Sequence, residues 1–276
     1  MSAYAEHANF HCLKARLRLQ GVLTTKTALR IGSGGGGELD ASDLPVLRDA
    51  DGYPLIPGAS LKGSIRSTVE ALVRGASVDG AKGTIWACDP LEDGATVRGM
   101  TCGRHESGKG LRADALRQEH CALCRLFGSR VIASHVRFSD AMLRDAETLK
   151  RKGRIPIEVR DGVAIDRDLR TVHGGQKYDF EVIAPGTRFD LEVFVDNPDL
   201  ALMGLLVIGF DQVADGLTAL GGFTSRGLGR VTLTWESMTR YTAADLLEGK
   251  PPATFDPEGM RAEFDRWREA LAKEVG

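Results

Sequence analysis

Two glycine-bearing segments far apart in the chain limit what it can fold into. They are Ile56-Pro57-Gly58-Ala59-Ser60-Leu61-Lys62-Gly63 and Gly221-Gly222-Phe223-Thr224-Ser225-Arg226-Gly227-Leu228-Gly229-Arg230. Glycines this closely spaced leave backbone N–H groups uncovered and permit turns that other residues resist. Each segment also carries basic side chains, a combination that suits a polyanionic backbone better than a packed interior. The first opens a helix with Leu61, Ile65, Val69, Leu72 and Val73 on its apolar face, Ser60 as its expected cap and Gly75 as its expected stop. A helix start adds free N–H groups and the positive end of the macrodipole, both favourable to phosphate. With one segment near each end, the expectation is a surface assembled from both halves of one fold.

Between these segments the hydrophobic pattern gives an ordered series of elements. Leu13 to Thr25 alternates as a half-buried strand, and Val46–Leu47 and Tyr53–Ile56 read as short strands around the turn at Asp49-Ala50-Asp51-Gly52. Strand patterning returns at Val136–Phe138, Ile155–Val159, Tyr178–Ile183 and Arg188–Val195, with a polar run from Arg160 to Lys177. Leu200–Val213 reads as an apolar helix and Leu228–Trp235 as a last strand. A final helix from Pro257, capped by Asp256, places Met260, Phe264, Trp267 and Leu271 on one face. The order strand, helix, strands, helix, strand is the βαββαβ order of an α+β, ferredoxin-like unit with a large mid-chain insertion. The expectation is therefore a single domain over residues 1–276.

With a net charge of −2, the chain offers no global field to attract nucleic acid. A polyanion site must be a local cluster: Lys62 with Arg66, Lys150-Arg151-Lys152 with Arg154, Arg167 with Arg170, or Arg226 with Arg230. No apolar run approaches the ~20 residues that span a bilayer, and Met1–Lys14 lacks the pattern of a signal peptide. A cytoplasmic location without membrane partners is the expectation.

Four of the five cysteines fall between Cys88 and Cys124, inside a Gly-, Asp- and Arg-rich stretch without sustained periodicity. Cys121-Ala122-Leu123-Cys124 has the two-residue spacing that lets two thiolates bind one metal from a tight turn. Cys88 and Cys102 complete a tetrahedral set, with His105 and His120 as competing ligands. A closed four-ligand site of this kind is structural, and its expected job is to order the insertion at about 76–130 with Zn2+. Asp40 and Asp43 sit after the glycine run Gly34–Gly37, where a carboxylate can hold a divalent cation or accept a proton at a phosphodiester. Loop polarity is the competing explanation for both.

Ile56-Pro57-Gly58-Ala59-Ser60-Leu61-Lys62-Gly63-Ser64-Ile65-Arg66 resembles the "IPGSSLKGxxR" signature of the RAMP superfamily, the repeat-associated mysterious proteins of CRISPR systems. Asp43-Leu44-Pro45-Val46-Leu47-Arg48-Asp49 resembles the segment that precedes it in type III backbone subunits. Leu126-Phe127-Gly128-Ser129, Ile165-Asp166-Arg167, Phe180–Gly186 and Gly222–Val231 resemble further landmarks in the same order. The resemblance implies an RRM-like core that binds CRISPR RNA by its backbone, with a thumb-like hairpin at about 150–180 that kinks the guide–target duplex. It implies neighbouring RAMP subunits and other type III effector subunits as partners. It also implies cleavage of target RNA at Asp43, or Asp40 if the longer glycine run shifts the register, with a divalent cation such as Mg2+ or Mn2+. Gly58, Ser60, Lys62, Gly63, Arg66, Gly222, Thr224, Ser225, Arg226 and Gly227 are then the RNA-binding candidates, and Cys88, Cys102, Cys121 and Cys124 the zinc ligands. The competing expectations are a non-catalytic structural subunit, a stand-alone CRISPR RNA-processing endonuclease using His11, and a zinc-stapled interaction domain.

Overall fold

The computed structural model describes residues 10–34, 42–76, 85–89, 102 and 120–275. Strand β1 (Ala15–Thr25) lies at the centre of an antiparallel sheet, with β6 (Arg188–Asp196) on one side and β7 (Val231–Thr242) on the other. Beyond β6 lie β2 (Val136–Phe138) and β3 (Met142–Leu143); beyond β7 lies β8 (Ala253–Phe255). Strands β4 (Ile157–Ile165) and β5 (Val172–Ile183) form a separate antiparallel hairpin. The helices are α1 (Gly58–Ala76), α2 (Ala122–Phe127), α3 (Ala146–Arg151), α4 (Leu200–Ala214), α5 (Ala243–Glu248) and α6 (Pro257–Val275). The molecule is of mixed α+β class. Among the described residues no helix is long and apolar enough to cross a membrane.

The period of two in β1 explains the sheet's two faces. Leu17 and Leu19 are buried among the helices, while Arg16 and Arg18 turn to the other face and pair with Asp196 and Glu192. Gly21 marks a register shift against β7, where an added Cβ would lie 2.7 Å from the Thr234 carbonyl oxygen.

Helix α4 is buried almost all round because the sheet, α1 and α6 all pack on it. Its glycines sit at the two helix crossings. A Cβ on Gly209 would meet Ile65 Cγ2 at 2.6 Å, and one on Gly204 would meet the Trp267 carbonyl oxygen at 2.5 Å. Gly204→Ala is therefore expected to cost about 1–3 kcal/mol by overpacking. A lower urea midpoint with unchanged slope is the expected reading, and an unmoved midpoint contradicts so tight a crossing. Asp199 caps α4 by accepting the Ala201 and Leu202 amides at 3.0 and 3.1 Å.

Three expectations are corrected. Helix α1 begins at Gly58, not at Ser60, because the Asp140 carboxylate, from the turn after β2, accepts the Gly58 amide at 2.8 Å. The last strand runs on to Thr242, since β1 offers it partners along that whole length. Val46–Leu47 and Tyr53–Ile56 form isolated bridges, Gly32 with Val46, Arg48 with Pro54 and Ile56 with Ala141, rather than strands.

Candidate functional site

The segment holding Asp43 is fixed from both sides. On one, Leu47 donates its amide to the Ile31 carbonyl at 2.8 Å and Ser33 donates to Pro45 at 3.3 Å. On the other, Leu44 bridges Phe180 of β5, and Glu181 donates its amide to the Leu44 carbonyl at 3.1 Å. The buried Glu181 carboxylate accepts the Val46 amide at 3.0 Å and pairs with Arg48 at 2.8 Å. This charge is both paired and hydrogen-bonded, the condition for its burial.

Asp43 itself is exposed and tied reciprocally to Asp179. The Asp43 amide donates to Asp179 Oδ1 at 2.9 Å, and the Asp179 amide donates to Asp43 Oδ2 at 3.1 Å. Ser42 Oγ lies 3.3 Å from the same Asp179 oxygen. The Asp43 amide, chiefly, holds the Asp179 carboxyl below the usual aspartate range. Asp40 lies outside the described residues.

The second glycine segment closes against this group. Gly222 donates its amide to the Arg30 carbonyl at 2.8 Å, and Gly229 donates to Ala28 at 2.8 Å. Gly221 has φ +76°, and a Cβ there would lie 2.1 Å from the Arg30 carbonyl oxygen, so the close approach requires glycine. Phe223 adopts the left-handed conformation with φ 59°, and its ring meets Phe180 edge-on at 5.2 Å. Arg226 lies 4.6 Å from the Phe223 centroid and donates to the Tyr178 hydroxyl at 2.9 Å. Ala28, Phe180, Val182 and Leu228 form a small apolar cluster beneath, with Leu44, Tyr178 and Phe223 against it. Thr224, Ser225, Arg226 and Gly227 are exposed above it.

The first glycine segment is divided by its helix. Gly58 is buried, where a Cβ would lie 2.2 Å from the Phe138 carbonyl oxygen. Ser60 is half-buried and Gly63 exposed, with open space around it. Lys62 Nζ donates to the Val136 carbonyl at 3.3 Å; burial pushes its pKa down, and the Arg66 charge adds to that. Arg66 bonds Glu70 at 2.7 Å, the Gly128 carbonyl at 2.9 Å and Cys124 Sγ at 3.5 Å. Burial opposes the Arg66 charge, but the Glu70 hydrogen bond and charge outweigh it and its pKa is raised. Thr68, on the other flank of the buried stripe, meets Thr218 Oγ1 at 2.9 Å, three residues before Gly221. The helical period thus turns Lys62 and Arg66 toward β2 and α2, away from the flank that meets the loop before the second glycine segment.

Cys88, Cys102, Cys121 and Cys124 converge with all four sulfurs within 4.8 Å of one another. Cys88 Sγ lies 3.5 Å from Cys124 Sγ and 3.7 Å from Cys121 Sγ. These separations are far beyond a disulfide bond. They match the edge of a tetrahedron, about 3.8 Å for metal–sulfur bonds of about 2.3 Å. The Cys121 amide donates to Cys102 Sγ at 3.1 Å and the Cys124 amide to Cys121 Sγ at 3.3 Å, as suits thiolates. Hydrogen bonds from the other sulfurs, Cys102 first, push Cys88 and Cys121 down toward thiolate, while Cys102 (through Cys121 first) and Cys124 (through Cys102 first) are pushed up in exchange. The cluster can therefore hold a metal ion such as zinc. His120 lies with Nε2 3.1 Å from Ser129 Oγ, and His105 lies outside the described residues. His11 is exposed near the start of the described chain.

Sequence reasoning missed Arg30, Tyr178, Asp179 and Phe223. Asp179 immediately precedes the Phe180–Gly186 landmark, so a signal stood beside it; Arg30 carried none.

The sequence profile of the RAMP superfamily matches residues 22–232, and the chain belongs to that superfamily. The chain is 31% identical over 230 residues to "CRISPR system Cms endoribonuclease Csm3" of Methanocaldococcus jannaschii, covering 79% of each chain. It is 28% identical over 255 residues to the protein of that name from Mycobacterium tuberculosis, covering 85% of this chain and 92% of the other. Among solved structures it resembles, with a TM-score of 0.50 and 15% identity, a chain of "Cryo-EM structure of the Type III-B Cmr-beta bound to cognate target RNA"; the match covers 79% of this chain and 96% of that one.

Proposed function

We propose that this chain is a CRISPR RNA-binding backbone subunit of a type III effector complex and that Asp43 cleaves target RNA paired to the guide. The observation that carries this reading is the placement of Asp43: an exposed carboxylate, steadied by the Asp179 amide, on a segment docked between hairpin strand β5 and the chain that holds the second glycine turn. The endoribonuclease names of the two relatives support it, as does the RNA-bound complex to which the structural neighbour belongs. In this reading sequence is read by guide–target pairing, so the protein supplies backbone grip and shape.

The 2′-hydroxyl of the target is the nucleophile. Asp43 takes its proton as the O2′–P bond forms and the P–O5′ bond breaks; the leaving O5′ takes a proton from water, giving a 2′,3′-cyclic phosphate and a 5′-hydroxyl. A divalent cation, Mg2+ or Mn2+, bound beside Asp43 would neutralise charge on the phosphate. Thr224, Ser225, Arg226 and Gly227 grip the RNA backbone from the exposed turn, with Gly222 placing that turn against Arg30. Ser60 and Gly63 face RNA from α1, whereas Gly58, Lys62 and Arg66 build the helix into β2 and the cysteine cluster. A structural Zn2+ held by Cys88, Cys102, Cys121 and Cys124 fits the sulfur spacing.

We read β1–α1–β2–β6–α4–β7 as a ferredoxin-like, RRM-like core, which the antiparallel order β2-β6-β1-β7 supports. The β4–β5 hairpin is the thumb of this reading. Its exposed Val159, Val163 and Ile165 supply apolar surface for a kinked duplex or a neighbouring subunit. Co-purification tests the whole: a guide-length RNA is expected with the intact complex, and RNA-free complexes under low salt contradict the reading.

Asp179 is a positioning residue for Asp43. Asp179→Ala in the complex is expected to lower single-turnover cleavage roughly tenfold, the scale of a lost hydrogen bond to a charged group, with guide retention unchanged. Asp179→Asn keeps the acceptor oxygen and restores most of the rate; equal loss in both variants contradicts positioning. The sign of the pH dependence follows from the depressed Asp179 pKa. The tie is complete above the ordinary aspartate range, about pH 4, and is lost as pH falls through the lower folded value.

A further inference from the structure

We propose that Arg30 and Arg226, which share the Phe223 ring, form a subsite for one RNA phosphodiester beside Asp43. The inference rests on the RNA-binding reading above and adds to it a residue, Arg30, and a specific ligand group.

Arg30 Nε is buried without a hydrogen-bond partner, the single such side-chain nitrogen or oxygen among the described residues. Its guanidinium carbon lies 4.9 Å from the Phe223 centroid, and that of Arg226 lies 4.6 Å from the same centroid. Two cations therefore share one ring. Elsewhere Arg16, Arg18, Arg48, Arg66 and Arg268 each pair with a carboxylate. No described carboxylate pairs with Arg30 or Arg226; the hydrogen bond that Arg226 makes goes to the neutral Tyr178 hydroxyl. A buried unpartnered donor costs free energy until an acceptor reaches it. A phosphate oxygen would supply that acceptor.

The surroundings give the socket its shape. A Cβ on Gly32 would lie 3.2 Å from the Arg30 guanidinium, and one on Gly222 would lie 3.5 Å from it. The two glycines leave room for the planar fork, and the aromatic ring supports it without neutralising it. The socket also adjoins the Asp43 segment. The strip 31–33 is hydrogen-bonded to 45–47, and Leu44 pairs with Phe180, whose ring touches Phe223. A guanidinium pair presenting several N–H donors matches phosphate oxygens, and the chain beside it already offers exposed Thr224 and Ser225.

The test uses the full-length chain and the variants Arg30→Gln, Arg226→Gln and the double variant. One arm titrates a labelled single-stranded guide-length RNA over a range of salt; the other titrates a complementary RNA onto the guide-loaded chain. Each single variant is expected to weaken binding roughly tenfold in one arm and to lower the slope of log K against log salt by about 0.7. The double variant is expected to lose less than the sum, since both groups serve one phosphate. Loss in the first arm assigns the phosphate to the guide, and loss in the second assigns it to the target. The RNA-free Arg30→Gln protein is expected to melt no lower than the parent, because the substitution removes a buried donor that has no acceptor. Parental affinity and slope for both single variants in both arms overturn the subsite while leaving the RNA-binding reading intact. Arg226 is exposed, so its variant reports even if Arg30→Gln folds poorly; a parent that binds neither RNA overturns both readings.

Discussion

Asp43→Ala is expected to stop cleavage of guide-paired target RNA in the assembled complex while leaving guide retention and target binding at parental levels. The loss should reach roughly 10²–10⁴-fold, the range for a general base positioned at the reacting group. Asp43 lends itself to a clean test because its side chain is exposed and supports no core packing. Its backbone amide, which holds Asp179, survives the substitution. Gel analysis of end-labelled target at single turnover reads the rate directly. Cleavage at the parental rate would leave a purely structural subunit, and a parallel Asp40→Ala variant shows whether the neighbouring carboxylate carries the chemistry instead.

Loss of the zinc proposed for the cysteine cluster should have the largest effect on stability. Metal analysis of the purified chain is expected to give about one zinc, as a closed four-sulfur set requires. Cys121→Ser with Cys124→Ser, or prolonged chelation, should lower the melting temperature by many degrees, since structural zinc contributes roughly 10–16 kcal/mol in small zinc-binding peptides. The damage should spread beyond the insertion. Arg66 reaches Cys124 and the Gly128 carbonyl, and Arg74 donates to the Cys88 carbonyl at 2.8 Å, so the outer flank of α1 leans on the cluster. Hydrogen exchange should show α1 opening together with α2. A metal-free chain with unchanged melting and full protection of α1 contradicts the structural role.

What the sequence revealed follows the range of the forces involved. Met260, Phe264, Trp267 and Leu271 were legible as one face of α6 because a helix repeats its pattern locally, and all four are buried. The cysteine set was legible for a similar reason: a two-residue spacing at Cys121 and Cys124 is a local signal, and Cys88 and Cys102 join it in space. The start of α1 was misread because its N-terminal amide is satisfied by Asp140, a residue 82 positions away. Asp40 and Asp43 stood out as carboxylates after the glycine run and the resemblance singled out Asp43, but its tie to Asp179 spans 136 positions and leaves no trace in the spacing. The direction of Arg66 was equally hidden. A basic side chain near a glycine turn suits RNA on paper, yet Glu70, Gly128 and Cys124 claim it in the fold.

The central place of β1 has a consequence for how the molecule comes to exist. The sheet partners flanking this strand, the first among the described residues, are β6 and β7, supplied only by the second half of the chain. During synthesis one edge waits for β6 and the other until residues up to Thr242 have left the ribosome, and closing such distant pairings is slow. Every truncation that removes β7 therefore strips the newborn polypeptide of its keystone, and abundance in the cell should fall before any change in RNA chemistry can be seen.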